Sequence, residues 1–131
     1  VIPTFNERGN IEKLVPEIFR SCKGLNADVE VVIVDDNSPD GTGKVAEELG
    51  KSYNVKVIHR KGKLGLASAV IKGFSESRSE ILGAMDADRS HPAEVLPRLI
   101  TPLLRGEADI AVGSRYAKGG VSRCGHSTGG W

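Results

Sequence analysis

At 131 residues, 39% of them hydrophobic and 27% charged, the chain has the length and apolar content of one globular domain with its own core. A formal net charge of +1 gives no overall field of the kind that draws a protein to nucleic acid. No apolar run approaches the ~20 residues that a membrane-spanning helix needs.

In chain order, Val1-Ile2-Pro3 reads as the last residues of a strand. Ile11, Leu14, Val15, Ile18, Phe19 and Cys22 then recur at helical spacing and predict an amphipathic helix. Its start is left open by Pro16, because a proline beyond the first turn or two costs a backbone hydrogen bond. Val29 to Val34 is a continuous run rich in β-branched residues, suited to a strand buried on both faces. The turn chemistry of Asn37-Ser38-Pro39-Asp40-Gly41 follows, and Thr42 or its neighbours can cap a helix to about Gly50. Val55 to His59 is a third strand. Leu66 to Glu76 reads as a helix with Leu66, Ala69, Val70 and Phe74 on one side, and Ile81 to Met85 as a fourth strand. Pro92 suits the first turn of a helix reaching about Arg105, and Asp109 to Val112 gives a fifth strand before a glycine-rich tail. Strand and helix alternate with short links, which predicts an α/β fold with a mainly parallel sheet and helices on both faces.

Two stretches are locally basic: residues 51 to 75 hold six Lys or Arg and no acid, and Arg115, Lys118 and Arg123 follow Ile110 without an acid. Each fits either a solvated face or a wall turned toward an anion. Cys22 and Cys124 show neither CxxC nor metal-ligand spacing, and Cys22, on the apolar stripe of the first helix, reads as a small buried hydrophobe. The sequence opens inside a strand and closes on Gly129-Gly130-Trp131, so further chain is expected on both sides.

In open α/β sheets, ligands bind beyond the carboxyl ends of the strands. There the sequence sets Pro3-Thr4-Phe5-Asn6-Glu7, Asp35-Asp36-Asn37-Ser38, Arg60-Lys61-Gly62-Lys63, Asp86-Ala87-Asp88 and Gly113-Ser114-Arg115-Tyr116. By itself an Asp-x-Asp triplet is as well explained by carboxylates satisfying a helix entrance. At the mouth of a pocket, however, two carboxylates repel unless a cation neutralises them. Mg²⁺ or Mn²⁺, which takes carboxylate oxygens together with substrate phosphates, would tie Asp86 and Asp88 to a pyrophosphate.

Two other nucleotide motifs fail. Gly41-Thr42-Gly43-Lys44 lacks the first glycine of a Walker loop, where Ser38 stands, and its hydroxyl residue, where Val45 stands. Gly41-x-Gly43-x-x-Ala46 mimics a dinucleotide fingerprint but is separated from its strand by five residues led by Asp36. Bare carboxylates there would repel a pyrophosphate by about 4 kcal/mol per close charge pair at an effective dielectric of about 20.

Taken together, Pro3-Thr4-Phe5-Asn6-Glu7, Val34-Asp35-Asp36-Asn37-Ser38-Pro39-Asp40-Gly41-Thr42, Gly62-Lys63-Leu64-Gly65-Leu66, Asp86-Ala87-Asp88 and Gly113-Ser114-Arg115-Tyr116 resemble family 2 glycosyltransferases of the GT-A fold. The branch they resemble most is the polyprenyl-phosphate (dolichyl-phosphate) mannosyltransferases. The resemblance covers nearly the whole chain and implies one nucleotide-sugar-binding domain, residues 1 to 131, incomplete at its C-terminal side. It implies that Pro3, Phe5, Glu7, Ile33 and Asp35 line the base and ribose pocket. Asp86, Ala87 and Asp88 would contact the donor, and Lys63 would belong to the binding set. Asp86, Asp88 and Ser90 would face the metal, and Arg115 the phosphates, with Asp88 and Arg115 as the catalytic pair. Phe5 stands where the family usually has tyrosine, which keeps a stacking face and loses a hydroxyl. Arg89 stands where an apolar residue is usual. The implied reaction is an inverting, metal-assisted transfer of mannose from GDP-mannose to a lipid phosphate at the cytoplasmic face of a membrane. The alternatives are a family 2 enzyme using UDP-glucose or another donor, and a non-catalytic nucleotide-binding module.

Overall fold

The computed structural model describes residues 1–62 and 65–113, and the backbone of a strand at 121–124. Its centre is a parallel sheet of three strands in the order β1 (Ile2–Thr4), β2 (Val31–Asp35), β3 (Val55–His59). Ile2 is paired with Ile33 and Thr4 with Asp35, while Asp35 is also paired with His59, so the three carboxyl ends are level.

All five residues of β2 are buried, as its unbroken β-branched run predicts. Val31 and Ile33 face a core built with α1 (Arg8–Ser21) and α2 (Thr42–Leu49). Val32 and Val34 face the opposite side, where they cluster with Ile58 of β3 and with Ala69 of α3 (Leu66–Ser75). The mainly parallel sheet with helices on both faces is therefore present.

The stripe Ile11, Leu14, Val15 and Ile18 fixes how α1 lies. Pro16 is inside this helix rather than near its start, contrary to the reading that left the start open. A mid-helix proline costs about 3 kcal/mol. Burying side chains the size of Val15 and Ile18, on either side of it, returns about 1.5–3 kcal/mol each, so the helix runs through.

In α3 the buried positions are Ala69 and Gly73, whereas Leu66, expected on the inner side, is 62% exposed. The reason is closeness: a Cβ at Gly73 would come within 2.5 Å of Val1 Cγ1, so the helix meets the sheet through its smallest residues.

Two expected strands differ. Residues 81 to 85 make two bonds to Val1, the residue before β1, Val1 N to Gly83 O (2.7 Å) and Met85 N to Val1 O (3.1 Å), but form no strand. The next bond of such a ladder would need the N–H of residue 3, and Pro3 has none. The fifth strand, β4 (Ile110–Gly113), pairs antiparallel with β5 (Val121–Cys124) in a separate two-stranded ribbon instead of extending the parallel sheet. Between these segments a 3₁₀ turn (Ala93–Val95) leads into α4 (Leu96–Leu104), whose Leu96 and Ile100 pack on the α1 core. Cys22 is buried and unbridged, and burial pushes its thiol above the usual range, as befits a small core hydrophobe. Among the described residues, no helix is long and apolar enough to cross a membrane.

Candidate functional site

The loops after β1 and β2 are locked together by side chains at their first residues. Thr4 Oγ1 donates to Asp35 Oδ1 at 2.9 Å, the Asn6 N–H to Ser38 Oγ at 2.9 Å, and the Glu7 N–H to Thr42 Oγ1 at 3.0 Å. Asp35 further accepts from the Ser38 N–H (3.1 Å) and Ser38 Oγ (2.6 Å). Only 2% exposed and holding three hydrogen bonds, its carboxylate organises the loop junction rather than standing open to solvent.

Thr42 is fully buried at the start of α2, where Asp40 accepts from both its N–H (2.9 Å) and its hydroxyl. Asp40 also accepts from the Arg8 N–H at 3.3 Å. Desolvation pushes the Asp40 carboxyl up, but the Thr42 and Arg8 hydrogen bonds and the Arg8 charge together bring it below its usual value of 3.8. A depressed carboxylate stabilises the fold above its unfolded pKa, and that contribution is lost as pH falls through the folded value. Asp40→Asn should therefore melt slightly below the native chain at neutral pH, with the gap closing below about pH 4. Thermal melts at a series of pH values check this; a gap unchanged at low pH would show that the charge contributes nothing.

Asp36 and Arg60 were assigned no role from the sequence, yet they form a buried, two-point ion pair. Arg60 Nε and Nη2 meet the two Asp36 oxygens at 2.6 and 2.8 Å, with side chains 9% and 7% exposed. The carboxylate's hydrogen bonds hold the guanidinium more firmly protonated than usual. Arg60 also donates to Ser68 Oγ (2.9 Å) and Gly65 O (3.3 Å), tying the end of β3 to the start of α3. The signal for this pair was a basic residue directly after β3, level with the Asp35-Asp36 doublet.

A cavity of about 320 Å³ opens beyond the ends of β2 and β3, lined among others by Asp35, Ser38, Gly43, His59 and Arg60. Gly43 is required there, since a Cβ would come within 2.9 Å of the His59 ring and 3.3 Å of Asp35 Oδ2. His59 is steadied from outside by Glu47, Nε2 to Oε1 2.7 Å.

Of the expected pocket residues only Asp35 lines this cavity. Pro3, half-buried, and Phe5, 38% exposed, lie on the β1 side of the same edge. Glu7 stands at the N-terminal boundary of α1 there, and its carboxylate accepts from Asn10 Nδ2 at 2.7 Å. The Ile33 side chain is fully buried in the α1 core, so only its backbone could meet a ligand. Inward-facing strand positions alternate, and Ile33 falls on the core side. Ala87 is 3% exposed and packs into that core, so only its backbone could meet a ligand. Asp86, Asp88 and Ser90 are exposed, and the Ser90 N–H donates to Asp88 Oδ1 at 2.9 Å. Lys63 and Arg115 lie outside the described residues.

Among the described residues, no three His, Cys, Asp or Glu converge into a closed metal cage. Two exposed carboxylates on one turn fit instead an ion of the Mg²⁺ type, which takes one or two carboxylates and completes its shell with phosphates and water.

The profile described as glycosyl transferase family 2 matches residues 1–127. A Pyrococcus furiosus protein named dolichol-phosphate mannosyltransferase is 52% identical over 120 residues, 92% of this chain and 33% of its own length. The polyprenol monophosphomannose synthase of Mycolicibacterium smegmatis is 42% identical over 128 residues, 94% of this chain and 46% of its own. Among solved structures, the mannosyltransferase PcManGT from Pyrobaculum calidifontis, in complex with GDP-Man and Mn²⁺, superposes with a TM-score of 0.67 at 26% identity, over 86% of this chain and 32% of that one. The chain thus spans between a third and a half of the length of these relatives.

Proposed function

The chain belongs to glycosyl transferase family 2, and on that footing we propose that it is the donor-binding part of a mannosyltransferase acting on a polyprenyl or dolichyl phosphate. The observation that carries the reading is the exposed Asp86-Ala87-Asp88 turn at the ligand-binding edge, in a chain 52% identical to a protein named for this activity. The donor in this reading is GDP-mannose, the nucleotide sugar that PcManGT holds together with Mn²⁺.

Asp86 and Asp88 would then hold a divalent cation, with the Ser90 hydroxyl nearby, and the Phe5 ring gives the base a face to stack on. When bound, the cation supplies Lewis-acid stabilisation of the diphosphate that departs. The acceptor phosphate is ionised at neutral pH, so its oxygen attacks the anomeric carbon without a strong base. The bond from that carbon to the pyrophosphate oxygen breaks as the new one forms, and the configuration inverts. The chain's own work is to place the two phosphates in line and to exclude water. Lys63 and Arg115 belong to the same binding face in this reading, and the acceptor puts the reaction at the cytoplasmic surface of a membrane.

Calorimetric titration with GDP-mannose and with UDP-glucose, each with and without Mn²⁺, tests the assignment. GDP-mannose should bind in an ion-dependent way and more tightly than UDP-glucose. A preference for UDP-glucose would sink the donor assignment, and ion-independent binding the role given to Asp86 and Asp88.

A further inference from the structure

Arg89 directly follows the acidic turn and has a φ of 62°, in the left-handed region that a residue with a Cβ occupies only when its surroundings hold it there. Its guanidinium reaches back to α1. Nη2 lies 2.5 Å from Oε1 of Glu17, a residue of α1 that is 72 positions earlier in the chain. These side chains are 36% and 25% exposed, whereas those of the pairs Arg8–Glu12 and Lys51–Glu48 are more than half exposed. On the other side of Asp88, Ala87 is packed with Ile11, Leu14, Val15 and Ile18 of the same helix. The residues immediately before and after Asp88 are therefore both fastened to α1, one by burial and one by charge. Between them the Ser90 N–H donates to Asp88 Oδ1 at 2.9 Å.

We infer that Arg89 is a positioning residue, which by pairing with Glu17 latches the acidic turn to α1 and fixes how Asp88 is presented. The functional consequence rests on the reading of Asp88 as a metal ligand; the latch itself does not. An arginine serves here because its fork reaches back across the turn to a carboxylate on a neighbouring helix while leaving the Asp86 and Asp88 side chains on the outer edge. The pair holds a strained residue in place rather than adding to global stability.

The test is amide hydrogen exchange on the full chain without metal, comparing the native sequence, Glu17→Gln, and the charge swap Glu17→Arg with Arg89→Glu. Glu17→Gln should speed exchange at the Ser90 amide about fivefold, the scale of one partly exposed ion pair, while Val32 to Val34 stay protected as before. The swap should restore the slow rate. Mn²⁺ titration in the presence of GDP, followed by the paramagnetic signal of the free ion, should weaken about fivefold in Glu17→Gln and recover in the swap. Unchanged exchange in Glu17→Gln, or no recovery in the swap, overturns the latch whatever the ion does. Faster exchange that the swap restores, in a protein whose native form takes no Mn²⁺, upholds the latch and overturns the metal role of Asp88.

Discussion

Under the proposed function, Asp88→Asn is expected to lower mannosyl transfer by about a hundred- to a thousandfold at saturating Mn²⁺, the scale of losing one preorganised stabiliser of developing charge. Asparagine keeps the size of the side chain and an oxygen that can still accept from the Ser90 N–H, so the turn should survive and the loss should report charge alone. Asp88 is exposed, and the turn is held by Ala87 and Arg89 on either side of it. The melting temperature should consequently stay close to that of the native chain. The split matters more than the size. Loss of turnover with a near-native melt places Asp88 at the reacting phosphates, whereas a variant retaining activity within about tenfold would remove it from the mechanism.

The sheet, its strand order along the chain and its helix-covered faces were legible because each rests on local pattern. The buried run of β2 and the stripe of α1 could hardly have gone elsewhere. What escaped the sequence depended on partners far away in the chain. Residues 81 to 85 have a strand's composition, yet the ladder beside them stops at Pro3. The inner face of α3 was set by the approach of Gly73 to Val1, so that Leu66 turned outward although the periodicity put it inside. At the candidate site the ends of the strands pointed to a set of loops, but not to which side chains are occupied in holding them. Ile33 follows from β2's alternation and is core. Asp35 is engaged with Thr4 and Ser38, and Asp36 with Arg60. The placement of Arg89, which the sequence marked only as a departure from the usual residue, became intelligible once Glu17 was found opposite it.

The second large effect belongs to stability. Asp36→Ala leaves Arg60 with its charge in a position 9% exposed, and breaking a buried pair from one side costs about 3–5 kcal/mol. For a domain whose whole stability is on the order of 5–15 kcal/mol, that loss should be visible as a large fall in the urea midpoint with little change in slope. Arg60→Met should cost less than Asp36→Ala if the remaining carboxylate draws in water or a proton, and both should exceed the effect of Ser68→Ala, which leaves the ion pair intact and removes the hydroxyl that accepts from Arg60 and donates to Gly65 O, each at 2.9 Å. The decisive variant is the double one, Asp36→Leu with Arg60→Met. Desolvating two charges offsets much of their attraction, so an apolar pair of similar volume should recover most of the stability lost by either single change. Recovery of stability without recovery of nucleotide binding would separate the two things Arg60 does, since only the guanidinium can also donate to Gly65 O and Ser68 Oγ and so hold the segment after β3 against the Asp35 junction. Single variants that lose less than about 1 kcal/mol would mean that the pair behaves as an exposed one, and the junction would then have to be held by Thr4, Ser38 and Thr42 alone.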